Sequence, residues 1–530
     1  MKKKVILLLI LIVALSGFLR FKDLTSIPKG LYPDEAINGN NAVESLQKKD
    51  FDVFYPDNNG REGLFLHLLA FSFWIFGISK FSLKFIPALV GTLTIPGIFL
   101  LTRELFSFYP IKKKNYLALL ASFLTGISFW HINFSRIAFR GILLPFCLVY
   151  SFYFFLKGLR ENNFLFSGLG GFFFGLAFYT YSSVRLAPFI FVILFLFLLI
   201  IAKHKKYFLK YISTFTLTSI LTALPLGIFF LKFPSYFSSR SSGIMIFNQP
   251  NPLKAFAISL GRHLIMFNFL GDPNWRHNFA HYPQLLWPIG IAFILGVIFA
   301  TIRIYYHFKN KEFYYITPYL ILFSWTGIML LPGILTFEGL PHSLRVIGVI
   351  PPVYIFAAIG FFFLKEKIDM KNKKEGSKRK NIITIIILFT FIMGLAFTQY
   401  NKYFNKWGEN KEVERSFNYE YVKVGNYLNS LDDNIKAFAI INKKGDSIRY
   451  PDKVPMSAQT PVFIETSKFK KPRATYLKIN EIKNIKKEDK KIVIVPIDVT
   501  EEIENEIKTN FPSGEIDTEN GLWKYKINFN

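Results

Sequence analysis

The sequence predicts an α-helical polytopic membrane protein, with roughly 11–13 transmembrane helices and a small α/β domain at its C-terminal end. Hydrophobic residues make up 51% of the 530 residues, and the chain contains 62 Phe and 26 Tyr. One soluble core of this length does not use so much apolar and aromatic side chain. Runs of roughly 20 apolar residues, the length that crosses a bilayer, recur up to about residue 400 and then stop.

The long apolar runs are candidate membrane spans. A shorter run at residues 64–78 contains His67 and Ser72, so it is predicted to be an interfacial or re-entrant helix. With a cytoplasmic N-terminus, the lysine-rich joints between the spans lie inside, as the positive-inside rule requires. The sequence thus predicts a multi-pass protein of the cell membrane with an extracytoplasmic C-terminal domain. The candidate spans are residues 5–20, 83–101, 116–133, 141–157, 164–182, 185–202, 211–231, 285–302, 313–332, 345–364 and 381–398.

The formal net charge of +28 does not indicate nucleic-acid binding, because much of the lysine lies in short joints between spans, where it sets the orientation in the membrane. Membrane lipids are the expected partners instead. The one cysteine, Cys147, lies within an apolar run. This excludes a disulfide within the chain and a cysteine-based metal site.

Two modules are predicted, a transmembrane module at residues 1–399 and an α/β domain at residues 400–530. The transmembrane module has a long first outer loop, residues 21–62, and a larger one at residues 232–284. The hydrophobic pattern of the C-terminal domain alternates between the helical and the strand period. Its predicted elements are helices at residues 413–431 and 500–511 and strands at residues 437–441, 474–479 and 492–497.

The first outer loop contains two adjacent carboxylates, Asp34 and Glu35, directly after Pro33. A pair of acids beside a membrane is costly to hold near lipid, and general-base catalysis is one function that needs it. A structural interpretation stays open beside it, because Pro33 favours a helix start, which Asp34 caps and Glu35 enters in the first turn. The same loop is rich in asparagine, at Asn38, Asn40, Asn41, Asn58 and Asn59.

Several predicted outer loops carry arginine, whereas the predicted cytoplasmic joints are rich in lysine. The planar, permanently charged guanidinium matches phosphate, so these arginines are candidates for a phosphate-binding site. Alternatively, some of them pair with local acids or extend along the membrane interface. The outer arginines of the later loops are Arg136, Arg140, Arg185, Arg240, Arg262, Arg276 and Arg345.

Aromatic and histidine residues on the predicted outer side complete the candidate site. Rings at this level can stack on a sugar, although aromatic residues are also expected at any membrane interface. Histidines at i, i+4 spacing are weak candidates for metal ligands, so no cofactor is assigned and a divalent cation stays open. The candidate rings are Trp130, Tyr179, Tyr181 and Trp275, and the candidate ligands are His277, His281 and His342.

The acidic pair in the first outer loop, the many spans and the outer C-terminal domain resemble the GT-C glycosyltransferases. The resemblance covers roughly residues 1–400 and is to glycosyltransferase family 39, the group of protein mannosyltransferases, aminoarabinose transferases and RgtA/B/C/D-like proteins. Those relatives follow the acidic pair with a charged residue and a Pro-Pro step. This chain departs from that pattern with Asn59-Gly60-Arg61-Glu62-Gly63, where Arg61 is the substitute for the family's basic contact to the lipid phosphate.

The resemblance implies a glycosyltransferase that moves one sugar, a hexose or a pentose, from a polyprenyl-phosphate donor to a lipid, glycan or protein of the cell envelope, with inversion. It implies that Asp34 is the general base and that Glu35 orients Asp34 or the acceptor, or helps to hold a divalent cation. It further implies that Arg61, Arg136, Arg140 and Arg185, ahead of Arg276 and Arg345, bind the donor phosphate.

Two other functions stay open. An envelope glycan polymerase or ligase would share the lipid-phosphate site and rely on the outer loop at residues 232–284. A lipid-linked sugar transporter or flippase would place ionisable residues at the membrane midplane, whereas the interiors of the predicted spans are nearly free of Asp and Glu.

Overall fold

The computed structural model describes residues 3–107, 114–238, 243–374, 378–441, 454–486 and 491–527, so Arg240 lies outside the described residues. The chain forms two compact units that do not follow chain order. The first unit consists of Met1–Lys22 and Pro87–Trp407, and the second of Asp23–Ile86 and Gly408–Asn530. The predicted first outer loop therefore groups almost entirely with the C-terminal domain.

The regular structure of the first unit is mainly helical in the described residues, and the boundary between the units falls at Pro87 within the helix Lys80–Leu105. A π-helix, Asn401–Trp407, ends the unit. The α-helices are Lys3–Phe21, Lys80–Leu105, Lys114–Gly126, Phe129–Phe134, Leu143–Glu161, Phe164–Ala177, Pro188–Ile201, Lys205–Lys232, Ser235–Ser238, Pro252–Ile265, Trp287–Lys309, Thr317–Ile334, Ile350–Lys374 and Lys378–Tyr400. The 3₁₀ turns are Arg140–Ile142, Ser182–Leu186, Ile246–Asn248, Phe313–Ile316 and Ile347–Val349.

Within the described residues, eight helical segments are long and apolar enough to cross a membrane. Each overlaps a predicted span, which confirms the polytopic helical membrane protein. Two of the other predicted spans are shorter helices, Lys114–Gly126 with 13 residues and Phe164–Ala177 with 14. The first ends early because Ser128 caps the next helix, Phe129–Phe134, through a hydrogen bond from the His131 N–H. The eight segments are Lys3–Phe21, Lys80–Leu105, Arg140–Glu161, Ser182–Ile201, Lys205–Lys232, Trp287–Lys309, Phe313–Ile334 and Ile347–Lys365.

Small residues allow two of these helices to pack at backbone distance. A Cβ added to Gly296 would lie 1.8 Å from the carbonyl oxygen of Phe356, and one added to Gly360 would lie 1.9 Å from that of Ala292. No side chain fits into such gaps, so the helices Trp287–Lys309 and Ile350–Lys374 need glycine at both positions. Close contacts of this kind are typical of helices that associate in lipid, where burial of apolar surface supplies little driving force.

The second unit combines the first outer loop with an α/β domain. Its short hairpin consists of β1 (Phe54–Tyr55) and β2 (Arg61–Glu62), which are antiparallel. Its helices are Pro33–Lys48, Leu64–Phe76, Lys411–Ser416, Tyr419–Ser430, Gln459–Phe469 and Glu501–Asn510, with 3₁₀ turns at Met456–Ala458, Ile479–Asn484 and Glu519–Gly521. Leu64–Phe76 is the short helix predicted at residues 64–78, and its interfacial or re-entrant placement stays a prediction.

A five-stranded sheet forms the centre of the α/β domain. Its strands are β3 (Ile435–Ile441), β4 (Thr475–Lys478), β5 (Lys491–Pro496), β6 (Glu515–Asp517) and β7 (Lys524–Ile527), in the order β4-β3-β5-β7-β6. The strand β3 is parallel to β4 and β5, whereas β7 is antiparallel to β5 and β6. The predicted α/β domain is thus confirmed, and its three predicted strands coincide with β3, β4 and β5.

Both faces of this sheet are covered, as alternation along its central strands requires. Ile440 and Ile494 face one side, where they pack in one cluster with Ile503 of the helix Glu501–Asn510. Their neighbours Ala439 and Val493 face the other side, in a cluster with Val424 of the helix Tyr419–Ser430. The domain therefore has the hydrophobic core on both sides of the sheet that a stable α/β fold needs.

The orientation of the chain in the membrane is testable with single cysteines, because the native Cys147 is buried. We predict that Glu502→Cys, at an exposed position of the α/β domain, reacts with an impermeant maleimide on intact cells. Asn310→Cys, exposed at a predicted cytoplasmic joint, should react only after permeabilisation. The reverse pattern of labelling would invert the topology.

Candidate active site

The acidic pair lies at the start of the helix Pro33–Lys48, hereafter the Asp34 helix. Tyr32 is its extended N-cap, and Pro33 fixes the first helical position, where a missing N–H costs nothing. The two carboxylates lie in the first turn, where the helix dipole favours negative charge. The helix ends at Lys49, whose φ of 56° is left-handed. Local sequence therefore explains why the helix begins at the acidic pair.

Four polar residues of the Asp34 helix share one face, since they follow one another at i, i+4, i+7 and i+11. These residues are Asp34, Asn38, Asn41 and Ser45, and all of them contact the hairpin of residues 54–62. Asp34 Oδ1 accepts a 3.0 Å hydrogen bond from Asn58 Nδ2. The Ser45 and Tyr55 hydroxyls are 2.6 Å apart. The asparagine-rich composition of the first loop is thus the polar interface between the helix and the hairpin.

Arg61 lies at the centre of this interface and is 1% exposed. Its Nη1 donates to Asn38 Oδ1 at 2.8 Å, its Nη2 donates to Asn41 Oδ1, and its Nε donates to the Asp57 carbonyl oxygen at 3.3 Å. Asn41 in turn donates from Nδ2 to Asp57 Oδ2 at 3.2 Å. The planar fork of arginine spans two side chains of the helix at once, so in this structure it joins helix and hairpin.

The tip of the hairpin turns through three consecutive left-handed residues. Asn58, Asn59 and Gly60 have φ angles of 50°, 61° and 89°, which asparagine and glycine tolerate better than other residues. A Cβ on Gly60 would lie 2.4 Å from the Phe54 ring, which is a second reason for glycine at this position. This turn holds the Asn58 amide against Asp34.

The two carboxylates differ in access. Glu35 is fully buried, and its Oε1 accepts a 3.3 Å hydrogen bond from the Tyr32 N–H. Glu35 thus lies in the first turn as predicted, but the predicted cap at Asp34 is wrong, because Tyr32 is the N-cap and Glu35 bonds back to it. Asp34 is only partly buried, and one of its oxygens is held by Asn58. Of the pair, Asp34 is the carboxylate that a substrate can reach.

The opposite side of the Asp34 helix packs on the α/β domain. Asn40 Nδ2 donates to the side-chain and backbone oxygens of Gln459, at 2.8 and 3.0 Å. Thr460 Oγ1 donates to the carbonyl oxygen of Leu31 at 2.9 Å. A Cβ on Gly39 would lie 2.5 Å from the Phe463 ring, so glycine is required where the helix Gln459–Phe469 crosses. The C-terminal domain thus fixes the helix that presents Asp34.

The other candidate arginines belong to the first unit, and their convergence with Asp34 on one cavity stays a prediction. Arg136 is buried and donates to the carbonyl oxygens of Leu19 and Arg20, at 3.1 and 2.8 Å, near the end of the helix Lys3–Phe21. Carbonyls at a helix C-terminus lack partners and attract cations, so Arg136 caps this helix.

Three further arginines make contacts within the first unit. Arg185 donates to the Phe237 carbonyl, with its guanidinium carbon 4.3 Å from the centre of the Phe237 ring. Arg345 bonds Thr336 Oγ1 at 2.9 Å and forms an ion pair with Glu338. The guanidinium of Arg140 lies over the Tyr181 ring at 5.7 Å. The backbone of a fourth, Arg276, accepts from Asn133 Nδ2 at 2.7 Å and donates to Asn274 Oδ1 at 3.0 Å.

The candidate aromatic residues are also engaged. Trp130 is fully buried, with its ring near Phe267, so it offers no face to a sugar in this conformation. The Tyr179 hydroxyl donates to the Thr222 carbonyl oxygen at 2.9 Å. Trp275 is partly buried, and its ring lies 5.1 Å from that of Phe279.

A second polar cluster forms in the first unit around Asp272, which sequence reasoning did not single out. Asp272 Oδ2 accepts from the backbone N–H and the hydroxyl of Ser343, at 2.7 and 2.9 Å, and from His277 Nδ1 at 3.2 Å. The His277 and His342 rings are 4.8 Å apart. One potential ligand atom from each of Asp272, His277 and His342 lies within 4.8 Å of the others. The signal in the sequence was the dense polar segment of residues 271–278.

The electrostatics of this cluster favour an ionised Asp272. Burial opposes the charge, but His277 and the hydrogen bonds outweigh it and lower the pKa of Asp272 to about 2. Burial, together with His277 and Arg345, lowers the pKa of His342 well below its ordinary value. The hydrogen bond to Asp272 uses the Nδ1 atom of His277, so Nε2 is the ring nitrogen that points away from the carboxylate.

The cluster fits a divalent ion of the zinc class. Two histidines and a carboxylate are typical zinc ligands, whereas magnesium and calcium prefer oxygen alone. The Asp272 to His277 hydrogen bond is the kind that orients a metal-binding histidine. His281, the other weak candidate, lies outside the cluster at an exposed position with a φ of 66°. The i, i+4 spacing of His277 and His281 therefore pointed to the wrong histidine, because the histidine that clusters with His277 is His342.

No protein-family model matches the sequence, and no curated protein matches it. Solved structures match the fold, which is the GT-C fold of membrane glycosyltransferases, as predicted. ArnT from Cupriavidus metallidurans bound to undecaprenyl phosphate is similar with a TM-score of 0.56 and 10% identity, over 98% of this chain and 97% of that protein.

Oligosaccharyltransferase structures from Archaeoglobus fulgidus share the fold as well. AglB in complex with an inhibitory peptide and a dolichol-phosphate is similar with a TM-score of 0.53 and 13% identity, over 89% of this chain. The match covers 64% of that protein, less than two thirds of its length. A complex of the A. fulgidus oligosaccharyltransferase with Zn and sulfate has a TM-score of 0.51 and 12% identity, over 92% of this chain and 68% of that one.

The position of Arg61 predicts a loss of stability rather than of phosphate affinity when its fork is removed. In Arg61→Lys, a single ammonium cannot bond both Asn38 and Asn41, so one buried acceptor loses its donor. We expect a loss of about 1–3 kcal/mol in the stability of the purified protein, measured by thermal unfolding in detergent. Arg415→Lys, at a side chain 76% exposed, is the control. Unchanged stability with weaker binding of a phosphate donor would contradict this assignment.

The histidine cluster predicts one bound ion of the zinc class per chain. We expect the purified protein to bind Zn²⁺ and to unfold at a higher temperature with it, as mass action requires. His342→Ala should weaken Zn²⁺ binding at least about tenfold, since it removes one of three ligands. His281→Ala, outside the cluster, should bind as the wild type does. Equal Zn²⁺ binding by both variants would exclude this site.

Proposed function

We propose that this protein is a membrane glycosyltransferase that transfers one sugar from a polyprenyl-phosphate donor to an acceptor of the cell envelope on the outer face of the cell membrane. The observation that carries the proposal is Asp34. It is the reachable carboxylate of the pair, and Asn58 holds one of its oxygens. The GT-C fold supports the class of reaction, and the sequence supports the outer location through its lysine-rich joints.

The fold likeness also supports a lipid-linked donor. The similar ArnT structure contains undecaprenyl phosphate, and the likeness extends over nearly the whole of both chains. The match to AglB covers less of that protein, which favours a single-sugar transferase over an oligosaccharide ligase. A polyprenyl carrier is physically reasonable, because its tail stays in lipid while the sugar phosphate reaches an outer site.

The reaction is a single displacement. The acceptor hydroxyl oxygen attacks the anomeric carbon, the bond from this carbon to the phosphate oxygen breaks, and the anomeric centre inverts. Asp34 accepts the hydroxyl proton, and the Asn58 amide holds the carboxylate in one orientation as it does so. The buried Glu35 maintains the first turn of the Asp34 helix and thus acts as a positioning residue.

Developing negative charge on the leaving phosphate needs a cation in a poorly hydrated site. In this proposal Arg61 is a positioning residue, because its guanidinium joins the Asp34 helix to the hairpin. Arg140 and Arg276 remain the arginine candidates for phosphate. A zinc-class ion held by Asp272, His277 and His342 would supply a Lewis acid that polarises a phosphate or acceptor oxygen.

The acceptor is a lipid, a glycan or a protein. Mass spectrometry of envelope lipids and glycans from cells with and without the protein identifies it, as the mass difference of one hexose or pentose. A product that grows by many sugars would favour a glycan polymerase, and an unmodified envelope with altered carrier distribution would favour a transporter.

The base assignment is tested with Asp34→Asn, which keeps the oxygen that accepts from Asn58 but cannot take a proton. We expect its transfer rate to fall by about 10²–10⁴, the usual contribution of a general base, with no loss of thermal stability. Glu44→Gln is the matched control, because Glu44 lies on the same helix in a surface ion pair with Lys48. An Asp34→Asn protein that transfers sugar at the wild-type rate would remove Asp34 from the mechanism.

A further inference from the structure

The last helix of the first unit ends in an unusual turn. The π-helix Asn401–Trp407 directly follows the helix Lys378–Tyr400. π-Helical turns are rare in proteins, and those that occur are often found at functional sites. Here it buries Tyr403, Phe404 and Trp407 while its lysines point in different directions, with Lys406 exposed and Lys402 partly buried.

Lys402 lies among aromatic rings. Its ammonium is 4.9 Å from the centre of the Phe129 ring, 5.3 Å from that of Tyr282 and 5.9 Å from that of Phe279. Within the part of the chain that the structure describes, the ammonium has no hydrogen bond or ion pair. An ammonium carries three N–H donors, so all three are available for a ligand.

Aromatic faces alone compensate poorly for the loss of water. A cation–π contact contributes roughly 0.5–2 kcal/mol, which is less than the cost of removing a charge from water without a hydrogen-bonding partner. Burial accordingly lowers the pKa of Lys402 to about 8. Without an anion nearby, it is therefore energetically unfavourable to hold the charged Lys402 side chain at this position.

The neighbouring charges are also positive. The guanidinium of Arg136 lies 5.4 Å from the Tyr403 ring and 5.1 Å from the Phe404 ring of the same π-helix. The Lys22 ammonium lies 5.9 Å from the Phe404 ring. The Tyr403 ring lies 5.3 Å from that of Phe129 and 5.2 Å from that of Phe404, so these cations and Lys402 contact one aromatic cluster.

We propose that Lys402 is the centre of a phosphate-binding subsite, in which its three N–H donors bond the oxygens of a phosphate group while the Phe129, Phe279 and Tyr282 rings exclude water. A phosphate has the acceptors for three such bonds, and lysine is a common phosphate ligand as a point charge. The phosphate belongs either to a lipid headgroup or to a free inorganic phosphate ion. This inference rests on the proposed function in one respect, which is that the lipid is taken to be a polyprenyl phosphate.

Binding is measured with the full-length protein in detergent, without any sugar transfer. The probes are inorganic phosphate and undecaprenyl phosphate, and tryptophan fluorescence reports binding, because Trp407 lies in the π-helix and donates to the Trp275 carbonyl oxygen at 2.9 Å. We expect Lys402→Gln to weaken binding at least about tenfold, the value of one charged hydrogen bond. Lys402→Arg should retain most of the affinity. Lys406→Gln, exposed in the same π-helix, should bind as the wild type does.

The two probes distinguish the source of the phosphate. Loss of undecaprenyl phosphate binding alone assigns the subsite to a lipid headgroup, and loss of inorganic phosphate binding alone assigns it to free phosphate. An equal loss for both probes supports a subsite that recognises the phosphate group itself. Unchanged binding of both probes by Lys402→Gln overturns the inference. If wild type binds phosphate through Lys402 but no sugar transfer is found, the proposed function fails and the subsite stands. If transfer is found and Lys402→Gln binds both probes normally, the subsite alone fails.

Amine acetylation of the wild-type protein gives a measurement that does not depend on folding of a variant. Either phosphate probe should protect Lys402 from acetylation several-fold, while Lys406 serves as the internal control in the same digest. Equal modification of Lys402 with and without both probes also overturns the inference.

Discussion

The position of Asp34 depends on the two-pronged hydrogen bonding of Arg61 to Asn38 and Asn41. One planar cation joins two side chains a helical turn apart to the hairpin that carries Asn58, and Asn58 in turn holds Asp34. Buried polar groups must find partners, so the members of this network fix one another and leave few alternative arrangements. The asparagines of the first loop therefore orient the carboxylate although they need not touch the substrate.

The other side of the Asp34 helix contacts the C-terminal domain. Asn40, Leu31 and Gly39 contact Gln459, Thr460 and Phe463, which are more than 400 residues away in sequence. The helix Gln459–Phe469 packs on the helix Tyr419–Ser430, whose Val424 belongs to the cluster on one face of the five-stranded sheet. The α/β core therefore supports the first loop. A loop presented by such a support keeps its geometry better than a free connection between two spans.

Fold class and most elements could be predicted because they follow from hydrophobic length and period. The strand pattern of Ile435–Ile441 and Lys491–Pro496 is visible in the sequence, whereas the early end of Lys114–Gly126 depends on a cap at Ser128 within an apolar run. For the candidate site, the acidic pair was evident in the sequence. That Glu35 is buried and Asp34 is accessible was not evident, because burial arises from packing. Asp272 was missed because its partner Ser343 lies on another segment, which no local pattern indicates.

Three candidate arginines of the first unit contact other groups of the protein. Arg136 bonds helix carbonyls, Arg185 bonds the Phe237 carbonyl, and Arg345 pairs with Glu338. The planar forks that match phosphate best are thus used to hold the protein together. In the proposed reaction a lipid phosphate leaves after each turnover, and a fork that bonds it at two points would release it more slowly than a single charge. A single lysine among aromatic rings attracts the charge yet imposes no fixed geometry, which suits a ligand that is bound and released in every cycle.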